Sequence, residues 1–354
     1  MALQGKRATI SDIAKRAGVS SATVSRVMSN PRYPVKPALR KRVLDAASQL
    51  NYKPNIFSQM LKGGSSREIG VIIPSITNPF YAQLVSAVER ECLERGYTPI
   101  FCFSQNSPEL ETRHLEMLER KQVEGTLLSC VHLNDAFLAD ISARTPAFVL
   151  FDQTYPGYEG DSVSFDFFGG GCLATKYLLE CGHRDIAFIS GPIDRYSRRQ
   201  YFDGYKHALK DAGLRFNNRR VVLFNDDIEN ASSEYDYHCG QELAGLLLSS
   251  EYLPDAIVAV NDMIAIGAIR KLEQEGVHVP TDISVVGFDN IAISSLVSPA
   301  LTTIDQPAVE TGRLATRILL DRIENKPVEQ GQIILQPSLV ERESVRKVHR
   351  KVRR

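Results

Sequence analysis

Acidic side chains are nearly missing from the first 67 residues, where Asp12 and Asp45 stand against 13 lysines and arginines. The whole chain carries 42 of each sign, so the remaining residues hold 29 basic against 40 acidic groups. A strongly basic start suits a polyanion, and an acidic remainder would be repelled by one, so the two parts have different tasks. Long apolar runs are also missing. No stretch approaches the roughly 18 residues a membrane span needs, and Met1 to Ile10 has no apolar segment of the kind that opens a secretory signal. A soluble, cytoplasmic protein is expected. The six cysteines (Cys92, Cys102, Cys130, Cys172, Cys181 and Cys239) show neither CxxC nor Cys/His ligand spacing. That pattern implies reduced, buried thiols and neither zinc nor disulfides. No cofactor is expected. At 354 residues and 43% apolar content the chain is long enough for two or three domains.

The basic segment reads as short helices. Thr9 is an N-cap with Asp12 three residues on, and Ile10, Ile13, Ala14 and Ala17 form an inward stripe. Gly18 permits the left-handed conformation of a tight reversal. Ser20 caps a second helix in which Val24 and Val27 point inward and Ser21, Ala22, Ser25 and Arg26 point outward. A helix-turn-helix places the start of its second helix in the DNA major groove, where an arginine grips guanine O6 and N7. A third helix is expected from Pro37 to Leu50, with Leu39, Val43, Leu44, Ala47 and Leu50 as its core stripe. Residues 55–64 are a short amphipathic stretch ending in two glycines, too short for a stable isolated helix.

From Ile69 onward, short apolar strands alternate with helices closed by glycine. The strands are Ile69–Ile73, Thr98–Phe103, Thr126–Cys130, Ala147–Phe151, Asp185–Ser190, Ala256–Val260 and Ile283–Phe288, with helices ending near Gly96, Lys121, Gly213 and Gly276. Such alternation builds parallel, doubly wound sheets, here two of them in two lobes. Sheets of this kind bind ligands beyond the carboxyl ends of their strands. Polar residues gather at those ends: Asn78, Phe80 and Tyr81 after the first strand, then Asp152, Arg195, Asn261 with Asp262, and Asp289 with Asn290. An aromatic platform, a cation and several carboxylates or amides describe a cleft for a small hydrogen-bonding molecule. Arg195 and Asp289, on loops after different strands, are expected to face each other across it.

Thr9-Ile10, Asp12, Ala14, Ala17-Gly18-Val19-Ser20, Thr23-Val24-Ser25-Arg26-Val27, Arg40, Val43, Asn51-Tyr52 and Pro54-Asn55 together resemble the headpiece of the lactose/galactose-repressor family of bacterial transcription regulators. The likeness continues through Ile69 to Pro74, Asn78-Pro79-Phe80, Cys181-Gly182-His183, Ser190-Gly191-Pro192, Asn261-Asp262, Ser284 to Asn290 and Gln306-Pro307, which resemble that family's periplasmic-binding-protein-like core. The resemblance implies an all-α helix-turn-helix head at 1–54, a hinge at 55–67 and a two-lobed α/β effector and dimerisation domain at 68–344. Its lobes would be 68–166 with 306–336, and 167–305 with 337–344; residues 345–354 form a basic tail expected to be disordered. It implies a homodimeric, possibly higher-order, repressor on double-stranded operator DNA. Thr9, Ser20, Ser21, Ala22, Ser25, Arg26, Lys53, Asn55 and Leu61 are the implied DNA contacts, with Leu61 wedged into the minor groove. The implied effector contacts are Phe80, Arg195, Asn261 and Asp289, then Tyr81, Asp152 and Ser197, for a sugar or related metabolite. Two departures bear on that effector. Tyr201 stands where many relatives place an arginine, and Asp166-Phe167 replaces the usual Asp-Asn, so the cleft is more aromatic.

Other motifs point to structure. Gly169-Gly170-Gly171 lacks the GxxxxGK[ST] pattern of a phosphate loop and is expected to allow close helix packing. His183 lies in a helix-to-strand turn. No nucleophile with its base, paired acid and base, or metal cluster stands out, which disfavours the alternative of a sugar-modifying enzyme or DNA recombinase with a similar head.

Overall fold

The computed structural model describes residues 8–29, 33–52, 65–129, 135–145, 147–153, 157–224, 235–250, 253–328 and 331–348. The expected contacts Lys53, Asn55 and Leu61, the segment 55–64 and Cys130 lie outside them. The chain divides into two compact units, Met1–Ser66 and Arg67–Arg354.

In the first unit three helices close a small core: α1 (Ile10–Ala17), α2 (Ser21–Ser29) and α3 (Pro37–Gln49). Thr9 and Asp12 form a reciprocal capping box, each side chain accepting from the other's backbone N–H at 3.3 and 2.9 Å. Gly18 takes the left-handed φ of 63° that the reversal demands. Ile13, Ala14, Ala17, Val24, Val27, Val43, Ala46 and Ala47 fill the interior. The α3 stripe is corrected in one place: Leu44 is 45% exposed and Ala46 lies inside. Val43, Ala46, Ala47 and Leu50 centre the inward face near Val43, and Leu44, about 100° further round the helix, turns outward.

The second unit contains two six-stranded sheets. The first sheet has the order β11-β5-β4-β3-β1-β2 and is parallel throughout, from β1 (Glu68–Ile73), β2 (Thr98–Phe103), β3 (Thr126–Leu128), β4 (Phe148–Asp152), β5 (Ser162–Phe165) and β11 (Gln332–Leu335). The second has the order β12-β10-β9-β8-β6-β7, from β6 (Ile186–Ser190), β7 (Val221–Leu223), β8 (Ala256–Ala259), β9 (Ser284–Asp289), β10 (Thr302–Asp305) and β12 (Ser338–Val340), with β12 alone antiparallel. The chain therefore passes from one sheet to the other three times: after Phe165, after Asp305 and after Leu335. Helices cover both sheets. The first lobe carries α4 (Pro79–Glu94), α5 (Pro108–Lys121), α6 (Asp135–Arg144) and α11 (Ala308–Ile323); the second carries α7 (Phe167–Glu180), α8 (Tyr196–Asp211), α9 (Tyr235–Leu248) and α10 (Asp262–Gln274). The start of the basic tail is docked on the second lobe, a correction to the expected disorder. Val348 donates to the Cys181 carbonyl at 2.7 Å, the Arg346 carbonyl meets His183 Nε2 at 3.1 Å, and Val345 packs on the core.

Glycines bring α7 and α8 into backbone contact. A Cβ on Gly171 would lie 2.0 Å from the Tyr201 carbonyl oxygen, and one on Gly204 would lie 2.2 Å from that of Phe168. This contact fixes the height of α8, and with it Ser197 and Tyr201, against the second sheet. Gly171→Ala is therefore expected to destabilise the second unit by about 1–3 kcal/mol in urea titration, as overpacking does. Gly245→Ala, where a Cβ meets only Lys271 Cε at 3.8 Å, should be neutral or stabilising by up to about 1 kcal/mol from helix propensity. Equal effects at the two positions would contradict the packing explanation.

Candidate functional site

Between the carboxyl ends of the two sheets lies a cavity of about 130 Å³. It has room for roughly ten water-sized atoms, the scale of one small molecule. Phe80, Tyr81, Asp152, Arg195, Ser197, Tyr201, Asn261 and Asp289 all line it. So do residues absent from the expected set, among them Asn106, Phe167, Arg198, Tyr235, Asp236 and Gln306. The Gln306-Pro307 motif and the aromatic Phe167 were visible signals for two of these. Nothing in the sequence marked Asp236, because β7 is only three residues long and gives no strand-end cue.

The lining side chains sit at strand ends and in the turns and helix starts that follow them. Asn78 caps α4 through Oδ1, which accepts from Phe80 N–H at 2.9 Å, and this brings Phe80 and Tyr81 to the cavity wall with their rings edge to face at 5.1 Å. Asp152 has a left-handed φ of 67° and its carboxylate accepts from Tyr81 Oη at 3.1 Å, Ser129 Oγ at 3.0 Å and Gln306 Nε2 at 2.8 Å. Asn261 caps α10 by accepting from Ile264 N–H at 2.8 Å, and its Nδ2 donates to Asp236 Oδ2 at 2.9 Å. Asp262, fully buried at the first turn of α10, accepts from Ser294 Oγ, Thr303 Oγ1 and Ile291 N–H at 2.6, 2.6 and 3.0 Å. It thereby ties the loop after β9 to strand β10 and sets Asp289, whose φ of 115° and neighbour Asn290 at 55° are conformations that L side chains rarely hold. Such backbone costs of order 1–3 kcal/mol and persists where the surroundings over-determine it.

One expectation is corrected here. Arg195 and Asp289 do not face each other across the cleft, since both follow strands of the second sheet. The partner that Asp289 meets from the first lobe is Asn78, whose Nδ2 donates to Asp289 Oδ2 at 3.3 Å. Arg195 instead projects its field onto Tyr81 and Asp152 of the first lobe.

Burial decides the protonation behaviour. It lifts the Asp152 carboxyl above the usual range against the hydrogen bonds from Ser129, Gln306 and Tyr81. Asp289 is held well above that range by burial and then by the charge of Asp262, while Asp262 itself is pushed up to about 6 by burial. Tyr201 is 1% exposed, and its hydroxyl finds no partner among the described residues. Burial and the charges of Asp262 and Asp289 push that phenol well up, so it stays a neutral donor. Its ring meets Phe288 at 4.6 Å.

In the head, Ser20 Oγ accepts from Thr23 N–H at 3.1 Å, and Thr9, Ser20, Ser21, Ala22 and Arg26 are exposed, with Ser25 half-buried.

Comparison with known proteins gives the class. Residues 9–55 match the family described as bacterial regulatory proteins, lacI family, and residues 175–345 match a periplasmic binding protein-like domain. The chain is 37% identical over 344 residues to the HTH-type transcriptional repressor PurR of Haemophilus influenzae (strain PittEE), covering 96% of this chain and 99% of that one. It is also 37% identical over 339 residues to the ribose operon repressor of Escherichia coli (strain K12), covering 95% and 99%. The Lac repressor dimer bound to operator and the anti-inducer ONPF superposes with a TM-score of 0.81 at 29% identity, over 96% of this chain and all of that one. The protein belongs to the lacI family of bacterial transcription regulators. It is a DNA-binding repressor and not an enzyme. No helix among the described residues is long and apolar enough to cross a membrane.

Asp289→Asn keeps an acceptor for Asn78 and removes the charge. Because burial raises the folded-state affinity of Asp289 for its proton, the parent loses stability as pH rises and the carboxyl ionises. The variant is therefore expected to melt above the parent at pH 8, with the difference shrinking by pH 5. A melting difference that is the same at both pH values, read by calorimetry, would count against a buried charge at this position.

Proposed function

We propose that this repressor acts in the cytoplasm as a dimer on operator DNA and is controlled by a neutral, polyhydroxylated effector of monosaccharide size bound between the lobes. The organisation proposed is a reading head over 1–54, a hinge over 55–67 and an effector-binding body over 68–344. Within the head, Ser21, Ala22, Ser25 and Arg26 read bases, Thr9, Ser20, Lys53 and Asn55 hold the backbone, and Leu61 enters the minor groove. In the body, the eight sequence-predicted residues contact the effector.

The observation that carries the effector class is the make-up of the cavity wall. Three acidic side chains (Asp152, Asp236 and Asp289) line it beside two guanidinium groups (Arg195 and Arg198), and burial shifts Asp152 and Asp289 toward their neutral forms. Phosphate and carboxylate ligands are gripped by clusters of cations, and here the two guanidinium groups share the wall with three acidic groups. A neutral polyol offers hydroxyl donors to Asp289 and an acceptor to the Tyr201 hydroxyl, while Phe80 and Tyr201 supply apolar faces for its ring. Tyr201, where the family resemblance places an effector-gripping arginine, lowers the positive charge further.

A thermal-shift panel of neutral pentoses and hexoses, their phosphate esters, and the purine bases adenine and hypoxanthine tests the proposal. A ligand present at 100 times its dissociation constant adds about 2.7 kcal/mol of stability. At least one neutral sugar should stabilise the full chain, and its phosphate ester should not at the same concentration. Stabilisation by the esters, or by the purines alone, would contradict the assignment.

A further inference from the structure

The outward arginine of α2 does not wave free in solvent. Arg26 Nη1 donates to the hydroxyl of Tyr33 at 3.0 Å, and its guanidinium carbon lies 5.7 Å from the centre of the Tyr33 ring. Tyr33 is itself anchored from two sides. The half-buried Tyr33 packs against the core of the head, and its carbonyl oxygen accepts from Arg40 Nη2 at 2.7 Å, which ties it to α3. The sequence stiffens this mount. Pro34 restricts the residue before it to extended backbone, and Pro37 opens α3 three residues later.

We propose that Tyr33 is a positioning residue for base reading: it holds Arg26 in a pose already suited to the major groove and so sharpens the preference at the base pair that Arg26 reads. The proposal rests on the assignment of Arg26 as a base reader. A guanidinium presents five N–H donors in a fixed fork. The hydrogen bond to Tyr33 engages Nη1, and the edge formed by Nε and Nη2 keeps the two-point geometry that guanine O6 and N7 accept. An arginine whose long side chain is already oriented loses less rotamer freedom on docking, and the gain falls on the right base alone, because a wrong base cannot use the fixed fork. The ring adds attraction to the cation along its stem. Contacts to phosphate carry no such discrimination, so this device should be invisible in binding to random DNA.

The test uses the full chain and selection from a randomised duplex library, with the parent, Arg26→Ala and Tyr33→Phe compared position by position. Tyr33→Phe keeps the ring, its packing and the backbone anchor, and removes only the hydroxyl. Arg26→Ala is expected to erase the preference at one base pair of each half-site. Tyr33→Phe should weaken preference at that same pair by about three- to tenfold, the range of a single modest hydrogen bond, and leave the other positions and the affinity for random-sequence duplex unchanged. Unchanged or heightened preference at the Arg26 position would overturn the proposal. So would an even loss at all positions and on random duplex, which would mark Tyr33 as a fold or phosphate-contact residue. If Arg26→Ala alters no position, the base-reading assignment itself falls, and the role of Tyr33 with it.

Discussion

Carboxylates withdrawn from water at the mouths of two parallel sheets are the constraint around which the body is arranged. Asp152 in the first lobe and Asp262 and Asp289 in the second are all buried. An isolated buried charge is costly, so each must be met by donors or keep its proton. Asp152 and Asp262 each collect three hydrogen bonds. Helices α4, α7, α8 and α10 all begin at this mouth with residues that line the cavity or, in Asp262, stand directly behind it, and their positive ends favour negative charge there. Asp289 is the least compensated. Its one side-chain donor among the described residues is Asn78, from the other lobe, at a long 3.3 Å.

On the proposed function, that imbalance would give the cleft its sensitivity. A hydroxyl-bearing ligand would offer Asp289 better donors than Asn78 does, and in taking them it would replace a contact between lobes by a contact through the ligand. Three chain crossings link the lobes, so a change in their relation is borne by the segments after Phe165, Asp305 and Leu335. A ligand can shift such an equilibrium only by its differential affinity for the two arrangements. In the same proposal the neutral phenol of Tyr201 and the rings of Phe80, Phe167 and Phe288, which line the cavity, would select by shape and by single hydrogen bonds, where an arginine would select by charge.

Much of this was legible in the sequence. Charge segregation, the Thr9–Asp12 box and Gly18 announced the head, and glycine-closed helices after apolar runs announced the parallel sheets. The eight predicted effector residues meet in one cavity because strand ends in this architecture converge. What escaped has physical causes. β5, β7, β10, β11 and β12 have three or four residues each, too few for a periodicity to show, and α9 and α11 lack strong strand cues beside them. Leu44 read as core because it lies at the edge of the inward stripe, and spacing alone does not show which edge the other helices cover. The pairing of Asp289 with Asn78 in place of Arg195 depends on strand order, which no local pattern encodes. Tyr33 went unremarked because its role depends on the path of a proline-bound loop.

The central claim is that occupancy of the cleft through Asp289 changes the grip of the head on DNA. Its most direct measurement is operator affinity, by fluorescence anisotropy on the duplex that the full chain selects, with and without a saturating neutral sugar that stabilises the body. The parent should change affinity at least about fivefold, the lower end of ordinary coupling, and Asp289→Ala should bind that duplex as the sugar-free parent does, with no response to the sugar. An operator affinity in the parent that is indifferent to the sugar, or a response that survives in Asp289→Ala, would contradict the account.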